Sequence, residues 1–514
     1  MTARILMLAA TAAMLLPGNA LADTLTIRLN ADIRGTDGLN RDANTDVVLH
    51  HVFETLVAFR NDLSIGPLLA ESWDVANDGT QYRFSLREGA VFHSGAPVTA
   101  EDVVWNWERR MDADSGWFCQ PFFDGRQGLE VTDVRAEDPR TVVFDLAAPN
   151  ALFLAQLANV QCNGWIASPE NVDQDGVWRE GVAIGSGSFA LAEWDRGQSI
   201  TLTRFADYQP LSEPRSGLSG DRSVLVEHLR FLIVPDTSTA ETALYAGQID
   251  IMPNLAPERM GDAEARGMSV DSAPGLAFTP MLIQTRDPMM QDARLRRALA
   301  HAIDFEALVE LRSFGLARFN PSGVADASAY FDESFREWPA HDLNATRALL
   351  DEIGYNGEAI RIQTNSRYSG MYENSVLVQA MLQQAGINAE LETLDWATQL
   401  DNYLAGRFQM QSFGYSPRLD PAQLYGILLG NKDDRPTIQW ENDEAYALYL
   451  QTMQTTDFDE RQSLFRQIHA LMAQDVPLLG IYYEPETGAA RPHVQGYEVW
   501  PGGLTRGWGV SVGG

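Results

Sequence analysis

Between Leu25 and Gln474 the apolar residues keep changing their spacing, from every second position to about every 3.6 and back, with no repeating unit. A chain patterned in this way must build sheets and lay helices on them, because neither pattern buries its apolar face alone. Period-two stretches predict strands at 25–29, 82–86, 131–134, 141–144, 199–204, 229–234 and 359–363. The longer period predicts helices over 47–59, 99–111, 237–246, 292–311, 344–353, 375–385 and 459–474. Thr99 is placed to cap the second of these, and Glu101 and Asp102 suit the positive end of its dipole. Gly354 and Gly386 end two others, as helix C-termini commonly do. The reading is α/β in at least two lobes. The length, 514 residues, fits about three domains.

The first 22 residues read as an export leader. Arg4 precedes an apolar run over 5–16, Pro17-Gly18 breaks it, and Ala20-Leu21-Ala22 offers the small residues that a signal peptidase reads. The run is shorter than the roughly 20 residues that span a bilayer. Cleavage near Ala22/Asp23 leaves a soluble chain outside the cytoplasm. Thirty-eight basic against seventy acidic residues leave a net charge of −32, which repels phosphate backbones and anionic lipid, so no nucleic-acid partner is expected. In an oxidising compartment Cys119 and Cys162, the two cysteines of the chain, are expected to form a structural disulfide; two buried thiols are the alternative.

Several segments, taken in order, resemble the dipeptide/oligopeptide-binding (family 5) periplasmic solute-binding proteins of ABC importers. They are Pro67-Leu68-Leu69-Ala70-Glu71-Ser72-Trp73, the stretch from Tyr82 to Gly95, Val98-Thr99-Ala100-Glu101-Asp102-Val103, Gly185-Ser186-Gly187-Ser188-Phe189, and Arg294-Leu295-Arg296-Arg297-Ala298 with Ala302-Ile303-Asp304. The resemblance implies a two-lobed periplasmic-binding-protein clamp of the large, three-domain peptide-binding type, with a hinge of two crossovers. Lobe 1 would comprise 23–273 and 480–514, itself in two subdomains, and lobe 2 would comprise 274–479. Pro274-Gly275, and Pro477 with Gly480, fall where the crossovers should lie. The implied function is capture of a peptide or peptide-like small molecule and its delivery to an inner-membrane ABC permease by a monomer, without catalysis and without a cofactor.

Site residues follow from the same resemblance. Arg367, followed by Tyr368 in a strand-to-helix loop, matches the arginine that holds a peptide carboxylate, and its guanidinium suits a two-pronged grip. Pairing with a surface acid is its bland alternative. Trp396 and Tyr415 match aromatic residues of the cleft, or else belong to the core. Peptide binders carry an acid after the second aromatic, opposite the ligand amine. Here Arg418 or Pro417 stands in that place. Either Asp420 swings in to serve an amine, or the ligand lacks one and is anionic or N-blocked. The polar loop over 30–46 offers Asp32 and Arg34.

An enzyme is the first rival. A Ser hydrolase would set G-x-S-x-G between a strand and a helix, and Gly185-Ser186-Gly187-Ser188-Phe189 does not fit that register; no H-E-x-x-H or phosphate loop occurs, and the eight histidines are scattered. A binder of a metal chelate, haem or another non-peptide solute on the same fold is the second. No metal-ligand cluster is legible, so no metal site is assigned.

Overall fold

The computed structural model describes residues 24–39, 41–76, 79–368 and 370–513; the leader expected over 1–22 lies outside them. Ten strands form one sheet, in the order Ala389–Thr393, Ile360–Thr364, Met410–Ser412, Ser269–Ile283, Leu478–Ala490, Ile251–Pro253, Thr24–Leu29, His228–Ile233, Ser199–Arg204 and Phe189–Asp195. The α/β class is as expected, with helices packed beside the sheet, such as Ala293–Ala302 against Leu343–Ile353 and Phe458–Asp475 against Asp443–Gln454. Leu295, Leu299, Leu464 and Ile468 are buried there, and each such side chain contributes about 2 kcal/mol by leaving water.

The two central strands, Ser269–Ile283 and Leu478–Ala490, are the longest and run antiparallel. One end of the pair borders the first half of the chain and the other end borders the second. At its middle the register slips, between Ala273 and Ala277 on one strand and across Glu484–Glu486 on the other. A Cβ on Gly275 would sit 1.8 Å from the Glu484 carbonyl oxygen, so the strands approach here only because that residue is glycine. The Pro274-Gly275 break is therefore a slip inside a continuous strand.

A second sheet, antiparallel, orders Ala70–Val75, Gln81–Leu86, Thr141–Leu146 and Val131–Asp138, with the helix Ala100–Met111 against it. The Asp102 carboxylate accepts from the Thr99 N–H and hydroxyl, both at 2.8 Å. Cys119 and Cys162 are bonded, with Cα atoms 5.3 Å apart. On the chain-entropy account a loop of 43 residues closed in this way contributes about 4 kcal/mol.

Two expected helices differ. The 47–59 run is a helix only at Ala43–Leu49, capped by Asp42, and ends in the strand Val57–Phe59. Residues 48–59 are buried throughout, and a run buried on every side carries no period to read. The 292–311 helix is two, Ala293–Ala302 and Phe305–Ser313, because the Asp304 carboxylate caps the second by accepting from the Ala307 N–H at 3.0 Å.

Segments that carried the resemblance also build the core of the first half. Fully buried Glu54 takes two N–H groups of Arg87 at 3.1 and 2.9 Å, the Ser186 hydroxyl at 2.9 Å and the Tyr208 hydroxyl at 3.0 Å. A Cβ on Gly185 would meet the Val52 carbonyl oxygen at 2.1 Å. These motifs hold the fold together.

Candidate functional site

The strands Ala389–Thr393, Ile360–Thr364 and Met410–Ser412 are parallel neighbours and end level with one another: Thr364 pairs with Thr393, and the Ser412 hydroxyl donates to the Thr364 hydroxyl at 2.9 Å. The three loops leaving those ends carry Arg367–Tyr368, Trp396, and Tyr415 through Asp420. Crevices at the carboxyl ends of parallel strands are where α/β sheets take ligands.

Beneath the first loop lies a carboxamide network that sequence reading missed. Buried Asn365 accepts from the N–H groups of Arg367 (3.0 Å) and Tyr368 (3.2 Å) and donates to Gln399 at 2.7 Å. Gln399, also buried, donates to the Ser412 carbonyl at 2.8 Å. The loop is thus fixed to its two neighbours while Arg367 itself is exposed. The Arg367 guanidinium stands 5.7 Å from the Tyr368 ring centroid, and no carboxylate among the described residues pairs with it.

Aromatic rings run from this loop to the central strands. Tyr368 meets Trp396 edge-on at 4.8 Å, Trp396 meets Phe413 at 6.0 Å, and Phe413 meets Tyr415 at 5.0 Å. Tyr415 continues to Phe278, and Phe278 to Tyr483 at 5.1 Å. Tyr368 is exposed and Trp396 half-buried, so both leave ring area open to solvent. Tyr415 is buried, and its N–H donates to the Phe278 carbonyl at 2.8 Å. Its place is in the wall, and burial raises its phenol well above the ordinary value.

Asp420 is not free for a ligand amine. It caps the helix Pro421–Leu428 through the Ala422 N–H at 2.9 Å and takes two N–H groups of Arg461, both at 3.0 Å, inside the protein. Arg418 has no carboxylate partner among the described residues; its guanidinium donates to the Ser416 and Pro417 carbonyls at 3.1 and 3.0 Å. Burial lowers its pKa, against the pull of the Tyr415 and Tyr403 phenols.

Asp32 is committed as well, accepting from the Trp194 indole N–H at 2.9 Å and the Gly197 N–H at 2.7 Å. The Arg34 N–H donates to the Thr45 hydroxyl at 3.0 Å, and its side chain is exposed. No hydrogen bond, ion pair or ring contact among the described residues joins either to the three loops.

An acid the sequence did not single out lies nearer. A Cβ on Gly370 would stand 3.2 Å from a Glu484 carboxylate oxygen, so the Arg367 loop crosses over that side chain. Burial raises the Glu484 pKa, opposed by Arg312. Arg418 also lines a cavity of about 590 Å³, walled by residues of the 118–161 segment on one side and of 417–453 on the other. Among the described residues no group of three or more His, Cys, Asp or Glu side chains is placed to hold a metal ion, and no helix is long and apolar enough to cross a membrane.

Known proteins share this architecture. The family profile described as bacterial extracellular solute-binding proteins, family 5 middle, matches residues 64–435. Di/tripeptide-binding protein 1 of Pseudomonas aeruginosa is 27% identical over 499 residues, covering 91% of this chain and 90% of its own. Heme-binding protein A of Haemophilus influenzae is 25% identical over 499 residues, covering 90% and 87%. The structure of HbpA2 from Haemophilus parasuis superposes with a TM-score of 0.84 at 24% identity, covering 95% of this chain and all of that one.

Proposed function

Since this chain belongs to the bacterial extracellular solute-binding proteins of family 5, a periplasmic protein that delivers its ligand to an ABC permease, we propose that its ligand is a peptide or peptide-like molecule, anionic or N-blocked. Arg367 carries the proposal. It is an exposed arginine with no acid partner among the described residues, on a loop anchored by Asn365, beside the Tyr368 and Trp396 rings. A guanidinium so placed can grip a carboxylate with two hydrogen bonds. At the other end of the crevice stands Arg418, where a ligand ammonium would be repelled.

The lobes so proposed comprise 23–273 with 480–514, and 274–479. The register slip at Ala273/Ala277 supports the first boundary; on the facing strand it falls at Glu484–Glu486, which moves the second boundary there from 480, since Gly480 pairs with Pro280 within the ladder. Closure requires contacts to both lobes, because a ligand shifts an equilibrium only by its differential affinity for the two states.

A thermal-shift panel on the mature protein, freed of endogenous ligand by mild unfolding and refolding, tests this. Each free dipeptide is paired with its N-acetyl counterpart. Ligand at about a thousand times its Kd adds roughly 4 kcal/mol, enough to move the melting point by several degrees. A shift by the N-blocked or acidic members alone is expected. Equal shifts by free dipeptides would overturn the N-blocked reading and make Glu484 the first acid to substitute in search of the amine's partner. The likeness to Heme-binding protein A favours a second reading, a non-peptide solute such as haem, which hemin in the same panel examines.

A further inference from the structure

The cavity that Arg418 lines has walls of distinctive chemistry. Carboxamides supply much of its polar lining: Gln127, Gln156 and Gln161 on one side face Gln423 and Asn431 on the other. The side chains of Gln127 and Gln161 have no hydrogen-bond partner among the described residues. A carboxamide both donates and accepts, as a hydroxyl does, so such a lining matches a molecule bearing many hydroxyls. Phe118 and Phe122 on one wall and Tyr446 and Tyr449 on the other add ring surface, against which the C–H faces of a sugar or polyol can pack.

The charge of the cavity is opposite to that of the chain. Arg126, Arg418 and Arg435 line it against one acid, Asp434, whereas the whole protein carries −32. Arg126 is paired with Asp124. Arg418 and Arg435 have no carboxylate partner among the described residues; the Arg435 guanidinium donates to the Gly426 carbonyl at 2.7 Å. Both guanidiniums lie near the Tyr403 and Tyr415 phenols, so the two charges act on one region. The disulfide fixes the wall that holds Phe118 and Gln161, since its cysteines are the next residue in each case.

We propose that this cavity is a subsite for an acidic, polyhydroxylated extension of the ligand, so that the preferred molecule is an amino acid or short peptide N-linked to a sugar-like group. The inference rests on the cleft reading above: one carboxylate sits at Arg367, the linked nitrogen is not a free ammonium, and the extension passes Arg418 into the cavity.

Isothermal titration of the mature protein with N-acetylglutamate and with N-glucaroylglutamate, in which an uncharged amide joins glutamate to an acidic polyol, tests it. The sugar conjugate should bind at least about tenfold more tightly, because a site built from hydrogen-bonding groups rejects a ligand that leaves them unpaired. In Gln161→Trp, which fills the cavity, and in Arg435→Gln, that ratio should fall below about threefold, with unliganded melting curves confirming that each variant is folded. Equal affinity of the wild-type protein for both compounds overturns the subsite and leaves the cleft reading standing. A preference that survives in both variants also overturns it. Binding of free dipeptides with neglect of both compounds overturns the reading on which the subsite rests.

Discussion

Two sets of arginines in this protein live under opposite rules. Arg87 and Arg461 are buried, and each is gripped by a carboxylate: Glu54, itself held by the Tyr208 hydroxyl, for the first, and Asp420, together with the Tyr330 hydroxyl, for the second. Burial alone would pull these guanidiniums down, but their partners hold both above the ordinary value. Arg367, Arg418 and Arg435 line the crevice and the cavity with no carboxylate partner among the described residues. The two sets therefore differ in their surroundings, one inside the protein and one at the candidate site. The first set cements segments distant in sequence. The second leaves guanidinium edges open to an anion from outside.

Substitutions should separate the two sets. Glu54→Ala strands a buried guanidinium, the costliest way to break such a pair, and should destabilise the protein by about 3–5 kcal/mol in urea unfolding. Asp420→Ala removes a helix cap along with Arg461's partner and should cost about 3 kcal/mol, without changing which ligands shift the melting point. Gly275→Ala forces a Cβ against the Glu484 carbonyl oxygen and should cost about 2 kcal/mol while slowing or weakening ligand-driven closure, read by small-angle scattering with and without ligand. Arg367→Gln should leave the unliganded protein within about 0.5 kcal/mol of wild type, as an exposed substitution does, yet weaken ligand binding by about 1.5–3 kcal/mol in titration. A large stability loss in that last variant would erase the distinction between the sets.

Acid sharpens the comparison between the two halves. Burial pushes His50 and His51 in the first half down to about 3, and His469 in the second to about 4. A histidine held below its unfolded value of about 6.5 gains protons on unfolding. Its contribution is therefore complete above that pH and is lost as pH falls through the window beneath it. Scanning calorimetry between pH 7 and pH 4 should show stability declining with acid, and His469→Gln should reduce the decline less than replacing the pair His50 and His51.

Much of this was legible in the sequence because it is local. Thr99 and Asp102 sit three positions apart and cap their helix as expected, and the loop after Ile360–Thr364 places Arg367 where a ligand can reach it. What was not legible depends on partners far away. Asp420 could be read as a free acid because nothing near it in sequence announces Arg461, 41 positions on. Glu54 meets Arg87, Ser186 and Tyr208 only in the folded chain. The Asn365–Gln399 bond, 34 positions apart, follows no pattern of period or motif. The fully buried 48–59 run hid its strand for a related reason: without a solvent-facing side there is no alternation to see.

The slip at Gly275 has a mechanical consequence. The two halves are joined by adjacent strands of one sheet, so bending one strand without its neighbour would tear the ladder between them. On the hinge proposed above, the motion that keeps this ladder whole is a shared twist of the pair about its length. Cargoes of different size would then stop the same rotation at different angles without steering it along different paths. A membrane partner that senses that rotation reads an angle, and needs no knowledge of the cargo itself.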